Sequence, residues 1–146
     1  MIRVHIDSTA FDREITEAGR RFERLASQAL SQVAASAAAS AKRTDLYKNI
    51  TGKLRANTTW KPRTFFHAQL QANTRYASYV HDGTKPHVIT TRDGGMLHFQ
   101  VNGSWVRKSS VNHPGTSARP FLQIAADAHE AILASRLEQI ATSVLG

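Results

Sequence analysis

His87-Val88-Ile89-Thr90-Thr91-Arg92-Asp93-Gly94-Gly95-Met96-Leu97-His98-Phe99-Gln100-Val101-Asn102-Gly103-Ser104-Trp105-Val106-Arg107 is the stretch on which the fold turns. Three short runs, 87–91, 96–101 and 104–107, are rich in β-branched and aromatic residues and are separated by turn formers. Asn102-Gly103 between two of them is the strongest short hairpin signal, because a type I′ turn needs positive φ at both central positions. The spacing predicts three strands folded back on one another. The whole excursion, residues 85–118, holds only two aromatic residues, Phe99 and Trp105, and four glycines, Gly94, Gly95, Gly103 and Gly115. A segment with so little of its own to bury is expected to bury itself against something else, as a projecting β-hairpin arm. The competing reading is an ordinary meander within one sheet. Within the arm, Met96, Phe99, Trp105 and Val106 are the side chains expected to make an oligomer contact.

On the amino-terminal side, Tyr76 to Val80 reads as one helical turn closed by Gly83, and residues 57–61 and 64–72 read as extended. A short helix is expected over Leu46–Leu54, against the weakening effect of Asn49, Thr51 and Gly52. Farther out lies a long helix, announced by capping candidates Asp7, Ser8 and Thr9 and by Asp12, Glu14 and Glu17 at the positive end of its dipole. Phe11, Ile15, Ala18, Phe22, Leu25, Ala29 and Val33 recur every three or four residues and form its apolar stripe. Its last third, Ala34 to Ala41, is nearly all alanine and serine, which suits close approach of a second helix. Ile2, Val4 and Ile6 alternate as in a half-buried strand. On the carboxyl side, Pro120 is suited to the first position of a final helix with a stripe of Phe121, Ile124, Ala125, Ala128, Ile132, Leu137, Ile140 and Val144. The expected fold is α+β: an antiparallel sheet covered by two long helices, residues 1–146 forming one domain with the hairpin excursion at about 85–118.

With 146 residues, 41% of them hydrophobic and 21% charged, the chain has the composition of a folded domain rather than a disordered one. It contains no cysteine, so disulfides and thiolate metal sites are excluded. The amino terminus lacks the continuous apolar run of a signal peptide, and Val33 to Ala41 is too short and too interrupted to cross a bilayer; a protein made and used in the cytoplasm, without membrane contact, is expected. The net charge is +8. The excess is central: residues 42–63 carry Lys42, Arg43, Lys48, Lys53, Arg55, Lys61 and Arg63 against Asp45 alone, whereas the first 41 residues are balanced and the last 27 are acidic.

Seven histidines raise a metal hypothesis, but none pairs with another at helical i, i+4 spacing, and His129-Glu130 fails to complete H-E-x-x-H because position 133 is Leu133. Hydrogen-bonded or solvated histidines are the expectation, with no cofactor. There is no G-x-S-x-G elbow, no Walker lysine and no G-x-G-x-x-G fingerprint, so an enzyme is not expected. Lys53, Arg55, Lys61 and Arg63, interleaved with Tyr47 and Trp60, could track a phosphate backbone; nucleic-acid binding is therefore the alternative function. The contrary reading is a solvated face or a contact with an acidic neighbour.

Thr51-Gly52-Lys53-Leu54-Arg55, Tyr76-Ala77-Ser78-Tyr79-Val80 leading to Gly83-Thr84, His113-Pro114-Gly115 and Arg119-Pro120-Phe121-Leu122 together resemble the head-tail joining and tail-completion proteins of lambda-like siphophages. The resemblance covers about residues 44–130. Its fold-defining positions here are Gly52, Leu54, Tyr76, Tyr79, Gly83, Thr84, His113, Pro114, Gly115, Arg119, Pro120 and Phe121. It implies a non-catalytic virion protein, assembled in the host cytoplasm, that forms a six- or twelve-fold homo-oligomeric ring at the tail end or neck. Connector or head-completion proteins, tail-tube proteins and the duplex DNA passing through the lumen are the implied partners. One departure stands out: His81 and Asp82 occupy the place where many relatives have a glutamate and an aromatic residue before Gly-Thr.

Overall fold

The computed structural model describes residues 8–146, so the strand expected over Ile2, Val4 and Ile6 lies outside the described residues. Two long helices dominate: α1, Thr9–Arg43, and α4, Phe121–Leu145. Between them in sequence come α2 (Lys53–Ala56), β1 (Thr58–Thr64), β2 (His67–Ala72), α3 (Ala77–His81), β3 (His87–Thr90), β4 (Leu97–Val101), β5 (Ser104–Lys108) and β6 (Ser110–His113). The fold is α+β. Its strands form three separate two-stranded antiparallel ladders, β1-β2, β3-β6 and β4-β5, where the sequence led us to expect one sheet. The chain divides into two compact units, Met1–Thr74 with Phe121–Gly146, and Arg75–Pro120.

In the first unit, α1 and α4 run antiparallel, as the bonds Arg136 Nη1 to Gln32 Oε1 (2.9 Å) and His129 Nε2 to Ser36 Oγ (3.2 Å) require. The seam follows the alanine-rich third of α1. Ala26, Ala29, Leu30, Val33, Ala34, Ala37, Ala38 and Ala41 are all buried. Small side chains let the backbones approach closely, but they leave little apolar area to remove from water. The hairpin β1-β2 lies against the same two helices. Its pairs Trp60↔Leu70 and Pro62↔Ala68 share the side of fully buried Thr58, whose hydroxyl donates to the Leu54 carbonyl (2.8 Å). Phe121 and Thr58 are the largest side chains completely withdrawn from solvent, and Phe121 meets Tyr47 edge-on at 5.0 Å.

Three expectations are corrected in this unit. The helix over Leu46–Leu54 is replaced by irregular chain and a single turn at Lys53–Ala56, because Gly52 takes the left-handed conformation and Ile50, 86% exposed, offers no apolar face to hold a helix. The α1 stripe is covered only from its middle onward: Phe11 and Ile15 are more than half exposed. On α4, the inward side runs through Phe121, Ala125, His129, Leu133, Leu137, Ile140 and Val144, while Ile124, Ala128 and Ile132 face outward. A helix apolar on nearly every side leaves its orientation open to the periodicity argument.

Candidate functional site

The second unit is an arm with a clasp at its base. Tyr76 precedes the single turn α3, and Gly83 follows it with φ +74°, the left-handed closing residue read from the sequence. Thr84 and Thr116 then face each other in an isolated antiparallel bridge: each backbone N–H donates to the other's carbonyl (3.0 and 3.1 Å), and their hydroxyls lie 3.1 Å apart. The glycines beside them are reciprocal. A Cβ on Gly83 would overlap the Thr116 carbonyl, and a Cβ on Gly115, at φ +87°, would overlap the Thr84 carbonyl. Both positions therefore require glycine for two reasons, positive φ and closeness of the opposite backbone. Arg119 completes the clasp, its N–H donating to the carbonyls of Val80 and His81.

From the clasp, β3 pairs with β6 in the register His87↔His113 to Thr90↔Ser110, and β4 pairs with β5 from Leu97↔Lys108 to Val101↔Ser104. The two ladders stand in series. They are joined by Ser109 on one strand and by residues 91–96 on the other, where Thr91 Oγ1 donates to the Gly95 carbonyl (2.9 Å). The far end turns at Asn102 and Gly103, both at positive φ, the type I′ geometry read from the sequence. Strand β6 was not anticipated. Ser110-Val111-Asn112-His113 contains one aliphatic residue, so nothing local marks it as a strand; only its pairing with β3 makes it one.

This arm has no core. From Ser78 to Pro120 no described residue is buried, and Val88, Ile89, Met96, Val101 and Trp105 are exposed. An isolated two-stranded ribbon is marginal in water, because fixing its backbone costs about 1–2 kcal/mol per residue with little apolar burial to offset it. The expected contact residues do not form one patch. Phe99 pairs directly with Val106 on one face, beside Leu97, while Trp105 pairs with Gln100 on the other, next to His98 and Arg107. Met96 lies just ahead of β4.

The basic candidates divide as well. Lys61 stands opposite Gln69 on the solvent side of β1-β2 with Thr59 and Gln71, and Arg63 donates through Nε and Nη2 to Gln69 Oε1. Lys53 is exposed on α2. Arg55 is turned inward: it is half-buried and its Nη2 donates to the Thr44 carbonyl (3.1 Å), tying α2 to the end of α1. Among the described residues no group of three His, Asp or Glu side chains is placed to hold a metal ion. Ring nitrogens of His67, His81, His87, His113 and His129 each meet a local partner, such as the Gly115 N–H donating to His113 Nδ1 (3.0 Å). His87 and His113 also stack across the ladder at 5.1 Å. No described helix is long and apolar enough to cross a membrane.

Comparison with known proteins returns no matching family model, no matching curated protein and no matching solved structure.

Proposed function

We propose that this chain is a non-catalytic structural protein of a long-tailed bacteriophage virion, assembling into a homo-oligomeric ring at the tail end or head-tail junction and acting in tail completion and joining. The observation that carries this reading is the coreless arm, held at its base by an exacting clasp yet given nothing of its own to pack on. A clasp built from Gly83-Thr84 and Gly115-Thr116 fixes how the arm starts; partners must supply the burial that keeps it folded. Most of the clasp residues are those through which the sequence resembles the siphophage tail-completion proteins. The thin, alanine-dominated core of the helical unit supports the same reading, since small cores are commonly completed by oligomerisation.

Connector or head-completion proteins and tail-tube proteins are the proposed neighbours, with duplex DNA passing through the lumen. A second reading, a basic nucleic-acid-binding protein, is favoured by one observation: Thr59, Lys61, Gln69 and Gln71 give the outer face of β1-β2 polar and cationic groups without a carboxylate. Mass measurement of the purified protein, with fractionation of virus particles, separates the readings. The ring reading predicts a discrete homo-oligomer and presence in virions; a monomer absent from particles, with duplex affinity that falls steeply with salt, favours the second reading.

A further inference from the structure

The outward face of β5 carries an exposed tryptophan with a cation beside it. Trp105 is 72% exposed, and Arg107, two residues along, shares its face, as do Gln100 and His98 across the ladder. No carboxylate belongs to this face. Large aromatic rings flanked by arginine are the side chains most often responsible for binding energy in protein interfaces.

The helical unit contains a groove of matching character. About 290 Å³ in volume, it is bounded by α1, α4 and β2 and lined by the apolar side chains Leu30, Val33, Phe66, Leu70 and Leu133. Two exposed carboxylates, Asp127 and Glu130, also line it, and no lysine or arginine does. An apolar trough edged with negative charge is the complement of a tryptophan edged with positive charge.

We propose that the groove receives Trp105 of a second copy of this chain, with Arg107 of that copy directed at Asp127 and Glu130. This deepens the ring reading, on which it rests, by naming where the arm docks. The contact joins two different patches of one sequence. Passed on from copy to copy instead of exchanged within a pair, it is heterologous, and repeated with a closing rotation it generates a ring. Burying an indole in the groove also removes apolar surface from both partners, which neither patch achieves within its own unit.

The chain has no native cysteine, so disulfide trapping is clean. Trp105→Cys and Leu133→Cys are prepared separately, mixed as full-length chains, oxidised mildly and run without reductant. The expected result is a cross-linked species that needs both variants, because a disulfide forms only where the two Cα atoms come within about 7 Å. In parallel, Trp105→Ala should raise the concentration for half-assembly about thirty-fold, the size of an interface hot spot. Arg107→Glu should weaken assembly, and adding Glu130→Arg should restore it. Three results overturn the proposal, and they are distinguishable. A cross-link that forms within a control chain carrying both cysteines, and never between the two single variants, means that the arm closes on its own groove. Rings that form normally from Trp105→Ala, without any cross-link, mean that the arm docks elsewhere, and the ring reading survives. A wild-type chain that stays monomeric at every concentration removes the dock and the ring together.

Discussion

The helical unit and the arm solve the same problem, finding partners for their polypeptide, in opposite ways. In the helical unit, backbone hydrogen bonds are satisfied inside each helix, and a row of alanines on α1 brings α4 close enough to bury Phe121, Leu54 and Tyr47. In the arm, each strand bonds to one neighbour, both faces meet solvent, and the closest backbone-to-backbone fit lies at the clasp. The difference teaches that geometry and stability can be specified in separate places. The clasp dictates where the arm begins, while the arm has no packing of its own to hold its length; the proposed ring assigns that packing to a second copy.

The contrast can be broken most completely by deletion. Removing residues 92–110 should abolish assembly outright while the helical unit keeps its helical circular dichroism; a ring of normal mass from that variant would assign assembly to another surface. Next in size, Phe121→Ala should destabilise the helical unit by about 3–5 kcal/mol in denaturant titration, because a fully buried ring leaves a cavity against Tyr47. Gly83→Ala should cost the arm about 3 kcal/mol or more, through a strained φ and overlap with the Thr116 carbonyl. That loss should appear as faster amide exchange at Thr84 and Thr116, with the α1 amides unchanged. Smallest is Tyr47→Phe. The Tyr47 hydroxyl is buried and without a hydrogen-bond partner among the described residues, so its removal should leave stability unchanged or raise it by up to about 1 kcal/mol.

Much of this architecture was legible residue by residue. The 3.6-residue recurrence of Leu25, Ala29 and Val33 marked α1, Asn102-Gly103 marked the far turn of the arm, and Tyr76 to Gly83 marked α3 and its left-handed end. The reciprocity of Gly83 and Gly115 was not legible, because each glycine is required by a carbonyl more than 30 residues away in sequence. Strand β6 was missed for a similar reason: its pairing with β3, and not its own composition, makes it extended. The inward face of α4 was misassigned at Ile124, Ala128 and Ile132, since a helix with aliphatic residues on all sides carries no periodic signal to say which side is covered. Of the candidate cations, Arg55 could not be told from Lys53 by sequence, yet its guanidinium is held by the Thr44 carbonyl while Lys53 meets solvent.

Amide hydrogen exchange followed across protein concentration tests the separation of clasp and stabilising partner most directly. At dilutions where a single copy prevails, the amides of 87–113 should exchange close to the unfolded rate, and they should gain protection as assembly proceeds, while those of the α1–α4 seam stay protected throughout. Equal, concentration-independent protection of both regions in a monomer would contradict the account.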